Sequence, residues 1–444
     1  MTETVKSFLT EKNYTAIKNL LSPMNSADIE HILEELPFEM LPVVFRLLPK
    51  ELAAETFAEM QSDMQQYLIK KFSDHELKEV LSEMYVDDTV DLIEEMPANV
   101  VSRILKYSDP ETRSAINAIL QYPSDSAGSI MTIEYVELKA HMTIDDAFSI
   151  IRRTGVDKET VYTCYVTDGN RKLIGVVTVA EMFLSDPSTK IGEIMETNVI
   201  FVNTRDDKEA AAITFNKYGF LALPVVDNEQ RLVGIITFDD AIYVIQEENT
   251  EDMEIMAAMS PSDKPYMKTG VIETVKNRIP WLLLLMISAA FTGGIISGFE
   301  SALAAQVVLT SFIPMLMDTG GNAGGQASVT IIRGLSLGEI EFKNIFRIIW
   351  KELRVALICG VTMAAANFIK IMLVDQVSAL IAAVVCFTLL ATVLIANVVG
   401  CILPVLAKKV GFDPAVMASP FITTIVDALS LLIYFGIARL LLGI

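Results

Sequence analysis

Two hydrophobic patterns divide the chain. From about residue 279 onward, apolar positions run on without alternation, interrupted only by short polar or glycine-rich breaks. A membrane-spanning helix needs about 20 such residues. Five segments supply them: 280–298, 302–317 with a glycine-rich continuation, 355–374, 379–406 and 414–442. Upstream, apolar residues recur at helical spacing over residues 1–123, and the pattern repeats. ILEELP at 32–37 returns as LIEEMP at 92–97, and LLP marks a further boundary at 47–49. Prolines that end short helices at this interval predict an all-α superhelical array.

Residues 124–246 hold a second duplication. SIMT at 129–132 returns as EIME at 193–196, and RKLIGVVTVAEM at 171–182 returns as RLVGIITFDDA from Arg231. Each copy reads strand, helix, strand, turn, strand, helix. A repeat of this length and order resembles a tandem pair of CBS domains, α/β modules that are usually regulatory and often bind nucleotides. That family's ribose-binding ending, G-h-h-T-x-x-D, is met by Gly234, Thr237 and Asp240. Thr237 and Asp240 are therefore candidate nucleotide contacts, with ATP the candidate ligand. The first copy, with Gly175, Thr178 and Glu181, departs at the last place.

Charge sharpens the division. The chain has 444 residues, 52% hydrophobic and 20% charged, and a net charge of −21 concentrated before the apolar half. An acidic surface argues against nucleic acid, which is bound through Lys and Arg on phosphates; it serves either as a solubilising face or as a site for divalent cations. The four cysteines form no CxxC, no Walker A sequence is present, and His31, His75 and His141 all precede the apolar half. Enzyme and ATP-driven pump readings thus lack their residues. The start, MTETVKSFLT, has no apolar signal core, which places residues 1–275 in the cytoplasm. Lys276 and Arg278 precede the first span, Arg333 to Arg354 carry the second loop, and Lys408 and Lys409 the fourth. The N-terminus is then inside and, after five spans, the C-terminus outside. Within the second loop, 337–353 reads as an amphipathic helix lying along the inner interface.

Asp427 stands about halfway along the last span with no Lys or Arg within a turn. A carboxylate at that depth is costly unless it faces water, a partner or an ion. Pro420 frees a backbone carbonyl, and Thr423 and Thr424 add hydroxyls, so the donors are all oxygen, as a hard cation requires. The stretch PMLMDTGGNAGGQAS, 314–328, brings irregular backbone that a membrane tolerates only beside protein or a water-filled cavity. Asn322 and the backbone at Gly320–Gly321 would line the same path, while Asp318 either joins it or sits near the inner mouth. Upstream, Asp87 and Asp91 are i,i+4 on one helix face, which fits a cation, a basic partner or a solvated face equally. Residues 246–259 carry Glu247, Glu248, Glu251, Asp252 and Glu254 just before the first span, where the negative inner surface prefers Lys and Arg.

This order of parts, together with DTGGNAGGQAS, GFDPAVMASPF and the last-span Asp, resembles the MgtE family of magnesium channels over essentially the whole chain. The resemblance implies four parts: an acidic N domain (1–123), a CBS pair (124–246), an acidic connecting helix (247–275) and a five-helix pore domain (276–444). It implies a homodimer in the cell membrane, in contact with lipid, with the pore on the two-fold axis between the second and fifth spans. Mg²⁺ would be both cargo and regulator. Asp427, Thr423, Asn322, Gly321 and Asp318 match the pore positions, and Glu55, Asp87, Asp91, Glu209, Asp240, Glu248, Glu251, Asp252 and Asp413 the regulatory Mg²⁺ positions. Gly219 and Tyr243 stand where the family's pattern is acidic. Negative feedback by intracellular Mg²⁺ is the implied control. The alternatives are a CBS-regulated transporter of Mn²⁺ or Co²⁺, or of an organic solute; the solute reading calls for basic residues or inverted repeats in the spans, and neither is visible.

Overall fold

The computed structural model describes residues 1–262, 266–267 and 269–443, and it separates into two units, Met1–Ile245 and Gln246–Ile444. The first begins with short helices, from α1 (Thr2–Thr10) through α10 (Pro110–Ile119), among them α5 (Lys50–Glu59), α7 (Asp74–Glu83) and α8 (Val86–Glu95). They run from 5 to 10 residues, too short to be stable alone. Stability comes from stacking apolar faces: Phe45, Phe57, Leu68, Phe72, Val90 and Ile104 are all buried in one continuous core. Side-chain caps mark the starts of α2, α7 and α10, with Ser73 and Glu76 closing a capping box on α7.

The duplicated segment folds as two three-stranded sheets. The first orders β1 (Glu137–Lys139), β2 (Thr163–Thr167) and β3 (Leu173–Thr178), with α11 (Ile144–Thr154) between β1 and β2 and α12 (Val179–Leu184) after β3. The second orders β4 (Val202–Asn203), β5 (Ala222–Val226) and β6 (Leu232–Thr237), with α13 (Ile191–Ile194) preceding it, α14 (Lys208–Tyr218) between β4 and β5, and α15 (Phe238–Met256) after β6. In each sheet the first pairing is parallel and the second antiparallel. The duplicated sequence motifs are where the copies exchange contacts. Thr132 bridges Ile235 in the other copy, and Glu196 bridges Val176. A Cβ on Gly234 would stand 2.7 Å from Met131 Sδ, and one on Gly175 2.6 Å from Met195 Sδ. Both glycines therefore exist for close approach of the partner copy.

The acidic stretch after the pair is no separate helix. It is the second half of α15, which ends at Met256, and the next helix starts at Val271. The predicted connecting helix over 247–275 is thus helical over 247–256 and again over 271–275, where α16 begins, and its residues 263–265 and 268 lie outside the described residues.

The second unit contains α16 (Val271–Gly298), α17 (Glu300–Ala305), α18 (Ile313–Ser336), α19 (Ile345–Lys370), α20 (Ala379–Val410) and α21 (Ser419–Leu442). Among the described residues four helical stretches are long and apolar enough to cross a membrane: Val271–Gly298, Phe342–Asp375, Ala379–Val410 and Pro414–Leu442. Helix α18, 24 residues long and rich in glycine, is not among them. Four expectations change here. The helix expected as the second span begins at Ile313 rather than at residue 302, and its glycine-rich part is regular helix, not irregular backbone. Of residues 337–353, expected as a helix along the interface, 345–353 form the first turns of the long helix α19. Pro420 falls at the first turn of α21, where no helical N–H bond is lost, so it frees no carbonyl inside the helix.

Candidate functional site

The glycines of α18 set how closely the helices of the second unit pack. A Cβ on Gly320 would stand 2.6 Å from Thr392 Cγ2 and 2.9 Å from Val426 Cγ1. One on Gly321 would stand 2.9 Å from Thr423 Cγ2, and one on Gly324 2.7 Å from Ile422 Cγ2. On α20, a Cβ at Gly400 would come within 2.3 Å of the Gly324 carbonyl oxygen. Small residues at such crossings let backbones touch, which is how membrane helices gain packing energy without a hydrophobic driving force. The result seats α18 against both α20 and α21. Ser328 Oγ donates to the Met417 carbonyl at 2.8 Å, tying α18 to the segment before α21.

This packing brings together residues more than 100 apart in sequence. Gly321 meets Thr423, and Asp318 is the charge that acts on Asp427. Asp427 is half-buried, with Oδ1 buried and without a hydrogen-bond partner. Asn322 and Asp318 are exposed on α18. The pattern is an oxygen-bearing face on two helices in an apolar unit.

The first unit holds a second concentration of charge. Asp87 and Asp88 open α8, and Asp239 and Asp240 open α15. Burial, then Asp240 and Asp88, push the Asp87 carboxyl well above the usual range. Asp88 is pushed up to about 7 by burial, Asp240 and Glu59, and Glu159 to about 8 by burial, Asp88 and Asp240. Asp240 reaches only about 6, because Thr237 Oγ1 donates to its Oδ2 at 2.6 Å against the burial. Asp91 is exposed at the rim of the same field, facing Asp240 and Asp88. The half-buried Tyr85 hydroxyl, pushed up to about 12 by desolvation, Glu159, Glu134, Glu55 and Asp87, places Glu55 there too. Like charges at partly desolvated positions cost free energy unless protons or cations neutralise them.

Of the expected regulatory residues, Glu55, Asp87, Asp91 and Asp240 therefore gather, and Asp252 and Asp413 meet separately. Asp252 is raised by burial and then by Asp413, with Arg333 opposing, and Arg333 also reaches Asn249 at 3.4 Å. Glu209 lies in the first turn of α14, its N–H donating to Asp207, and Glu248 and Glu251 lie along α15. Glu159, Glu134, Asp88 and Asp239 were not singled out from sequence; the doubled Asp pairs at 87–88 and 239–240 were the available signal. Gly219 caps α14 at φ +68°, a left-handed position that explains glycine where an acidic residue was expected. Tyr243 is exposed. Among the described residues no three carboxylate, imidazole or thiol groups stand close enough to enclose a metal ion. The oxygen-only donors and their mutual repulsion nevertheless fit a hydrated Mg²⁺, which keeps most of its water.

The Thr237–Asp240 pair has a local role as well. Thr178 and Glu181 form a capping box at α12, and Thr237 and Asp240 make the equivalent bond at α15. The T-x-x-D/E pattern thus starts a helix in both copies, whatever else it binds.

An apolar helical unit with an oxygen-bearing helix junction, joined to a duplicated α/β pair and an acidic helical array, fits a membrane cation transporter. The chain belongs to the MgtE family of divalent cation transporters, which matches residues 313–437, while the MgtE intracellular N domain matches 24–125 and CBS domains match 127–184 and 191–247. It is 35% identical to the magnesium transporter MgtE of Thermus thermophilus over 98% of this chain and 97% of the relative. It is 33% identical to that of Bacillus subtilis over 95% and 93%. Among solved structures it is similar to the cytosolic domain of the Mg²⁺ channel MgtE in complex with ATP (35% identity, TM-score 0.53, 55% of this chain, all of that one). It also resembles the soluble part of a magnesium transporter (28%, TM-score 0.52, 56% and 97%). This is a family of transporters, not of enzymes.

Proposed function

We propose that the chain carries Mg²⁺ across the cell membrane along the α18–α21 junction, and that cytosolic Mg²⁺ closes the path. The observation that carries this reading is Asp427: a carboxylate inside an apolar helix, beside glycines that bring Thr423 and Asp318 to it. Oxygen donors on two helices suit a cation that sheds water reluctantly, so selection of a largely hydrated ion by Asp427, Thr423, Asn322 and the backbone at Gly321 follows from chemistry. A single face of this kind is half a pore, which supports a homodimer with the path on its axis. Five spans with the N-terminus inside follow from the basic loops, α18 completing the set of four more apolar stretches.

Control follows from the acidic field. Residues 1–123 and 124–246 act as the sensor, the stretch from 247 as the link, and residues 276–444 as the conducting part. Without Mg²⁺ the carboxylates of α8 and α15 repel; with it they are held together, and the compact state shuts the path. ATP at the CBS pair is supported by the relative whose cytosolic domain was solved with ATP, with Thr237 and Asp240 as its contacts here. The test is rescue of a Mg²⁺-uptake-deficient bacterial strain by the wild type and by Asp427→Ala. Rescue by the wild type alone, with the variant inserted and expressed, supports the path; equal rescue by both removes Asp427 from it.

A further inference from the structure

Among the described residues, eight buried side-chain N or O atoms have no hydrogen-bond partner, and three belong to one junction of the second unit: Thr392 Oγ1, Asp427 Oδ1 and Ser430 Oγ. A Cβ built on Gly320 would stand 2.6 Å from Thr392 Cγ2 and 3.1 Å from Ser430 Oγ, so α20 and α21 approach each other across that glycine. Ser430 lies one turn beyond Asp427, on a neighbouring part of the same helix surface. Thr392 and Ser430 are each only 1% exposed.

Their neighbours behave differently. Thr388 Oγ1 donates to the Val384 carbonyl at 2.8 Å and Thr424 Oγ1 to the Pro420 carbonyl at 3.2 Å, the usual way a helix absorbs a hydroxyl. Thr392 and Ser430 make no such bond, and leaving a buried hydroxyl unpaired costs about 1–3 kcal/mol. Two unpaired hydroxyls and a buried carboxylate oxygen at one crossing supply the two to four polar partners that a buried water requires.

We propose that one water is held between Thr392 Oγ1 and Ser430 Oγ, accepts from both hydroxyls, and donates to Oδ1 of Asp427. Thr392 and Ser430 are then positioning residues. The water fixes the carboxylate with Oδ1 turned into the protein, leaving Oδ2 free to face the ion path. Gly320 lets α18 close on this junction, since a Cβ there would meet Thr392 Cγ2 at 2.6 Å and Ser430 Oγ at 3.1 Å. The functional consequence rests on the transport reading above; the water itself does not.

Two measurements on the full-length protein test this. The first is a cryo-electron-microscopy map at a resolution that resolves ordered water, for the wild type and for Thr392→Val combined with Ser430→Ala. Density between the two hydroxyls in the wild type, gone in the double variant, is expected; a clear map with none overturns the proposal. The second is Mg²⁺ flux in proteoliposomes. Ser430→Ala and Thr392→Val should each raise the half-saturating Mg²⁺ about ten-fold, the scale of one hydrogen bond to a charged group, with maximal flux kept. Thr392→Ser, which retains the hydroxyl, should behave as wild type. Unchanged half-saturation in both hydroxyl-less variants, or loss equal in Thr392→Ser and Thr392→Val, overturns the positioning role. A wild type that carries no Mg²⁺ counts against the transport reading, and the water density then decides this proposal alone.

Discussion

Replacing Asp88 by Asn isolates the cost of the acidic field. Its carboxyl is pushed up to about 7 from the usual value near 4, by burial first and then by Asp240 and Glu59. Three pKa units correspond to about 4 kcal/mol, and partial screening of this half-buried group brings the working figure to about 2 kcal/mol. Below about pH 4 the folded and unfolded chains are both protonated and the field costs nothing. From there to about pH 7 the unfolded chain is ionised while the folded one keeps its proton, so stability falls as pH rises. Above about 7 the loss is complete, and it is smallest near pH 4. In Mg²⁺-free buffer at about pH 8, Asp88→Asn should therefore raise amide protection along α8 about 30-fold, the equivalent of 2 kcal/mol, with a smaller gain near pH 5.5. Saturating Mg²⁺ should abolish the difference, because the ion neutralises what the substitution removes. The assay is hydrogen exchange on the full-length protein in detergent, read as protection factors so that the intrinsic pH dependence cancels. No gain at pH 8, or the same gain at both pH values, would show that Asp88 is solvated and that the field carries no sensor.

Further outcomes follow from the packing. Gly400→Ala places a methyl 2.3 Å from a backbone oxygen that has nowhere to go, so α18 and α20 must part by about 1 Å. A loss of about 1–3 kcal/mol in thermal stability is expected, whereas Gly436→Ala, facing open space, should cost nothing. Gly219→Ala meets no neighbouring atom, so its cost is backbone strain at φ +68° alone, about 1 kcal/mol, measurable by the same unfolding assay. Asp427→Asn keeps the shape of the side chain and removes its charge; Mg²⁺ flux should collapse while thermal stability is kept or rises, and retained flux would show that the carboxylate is not the ion's contact.

Much of this protein was legible in its sequence. Apolar run length alone separated the membrane half, because nothing but a helix satisfies twenty backbone amides in lipid. The duplication at 124–246 set the two sheets, and proline spacing set the short helices before them. Asp427 was legible because a lone carboxylate stands out in an apolar helix. Other features depend on contacts between distant segments. Only packing revealed that the glycines of α18 form a straight helix pressed on Thr423, Val426 and Thr392, since glycine permits kink and close approach alike. Only packing brought Glu159 and Asp88 to Asp240, because charge repulsion depends on distance in space rather than in sequence. Likewise, Thr392 and Ser430 read as ordinary helix hydroxyls until three helices met at Gly320 and left them unpaired.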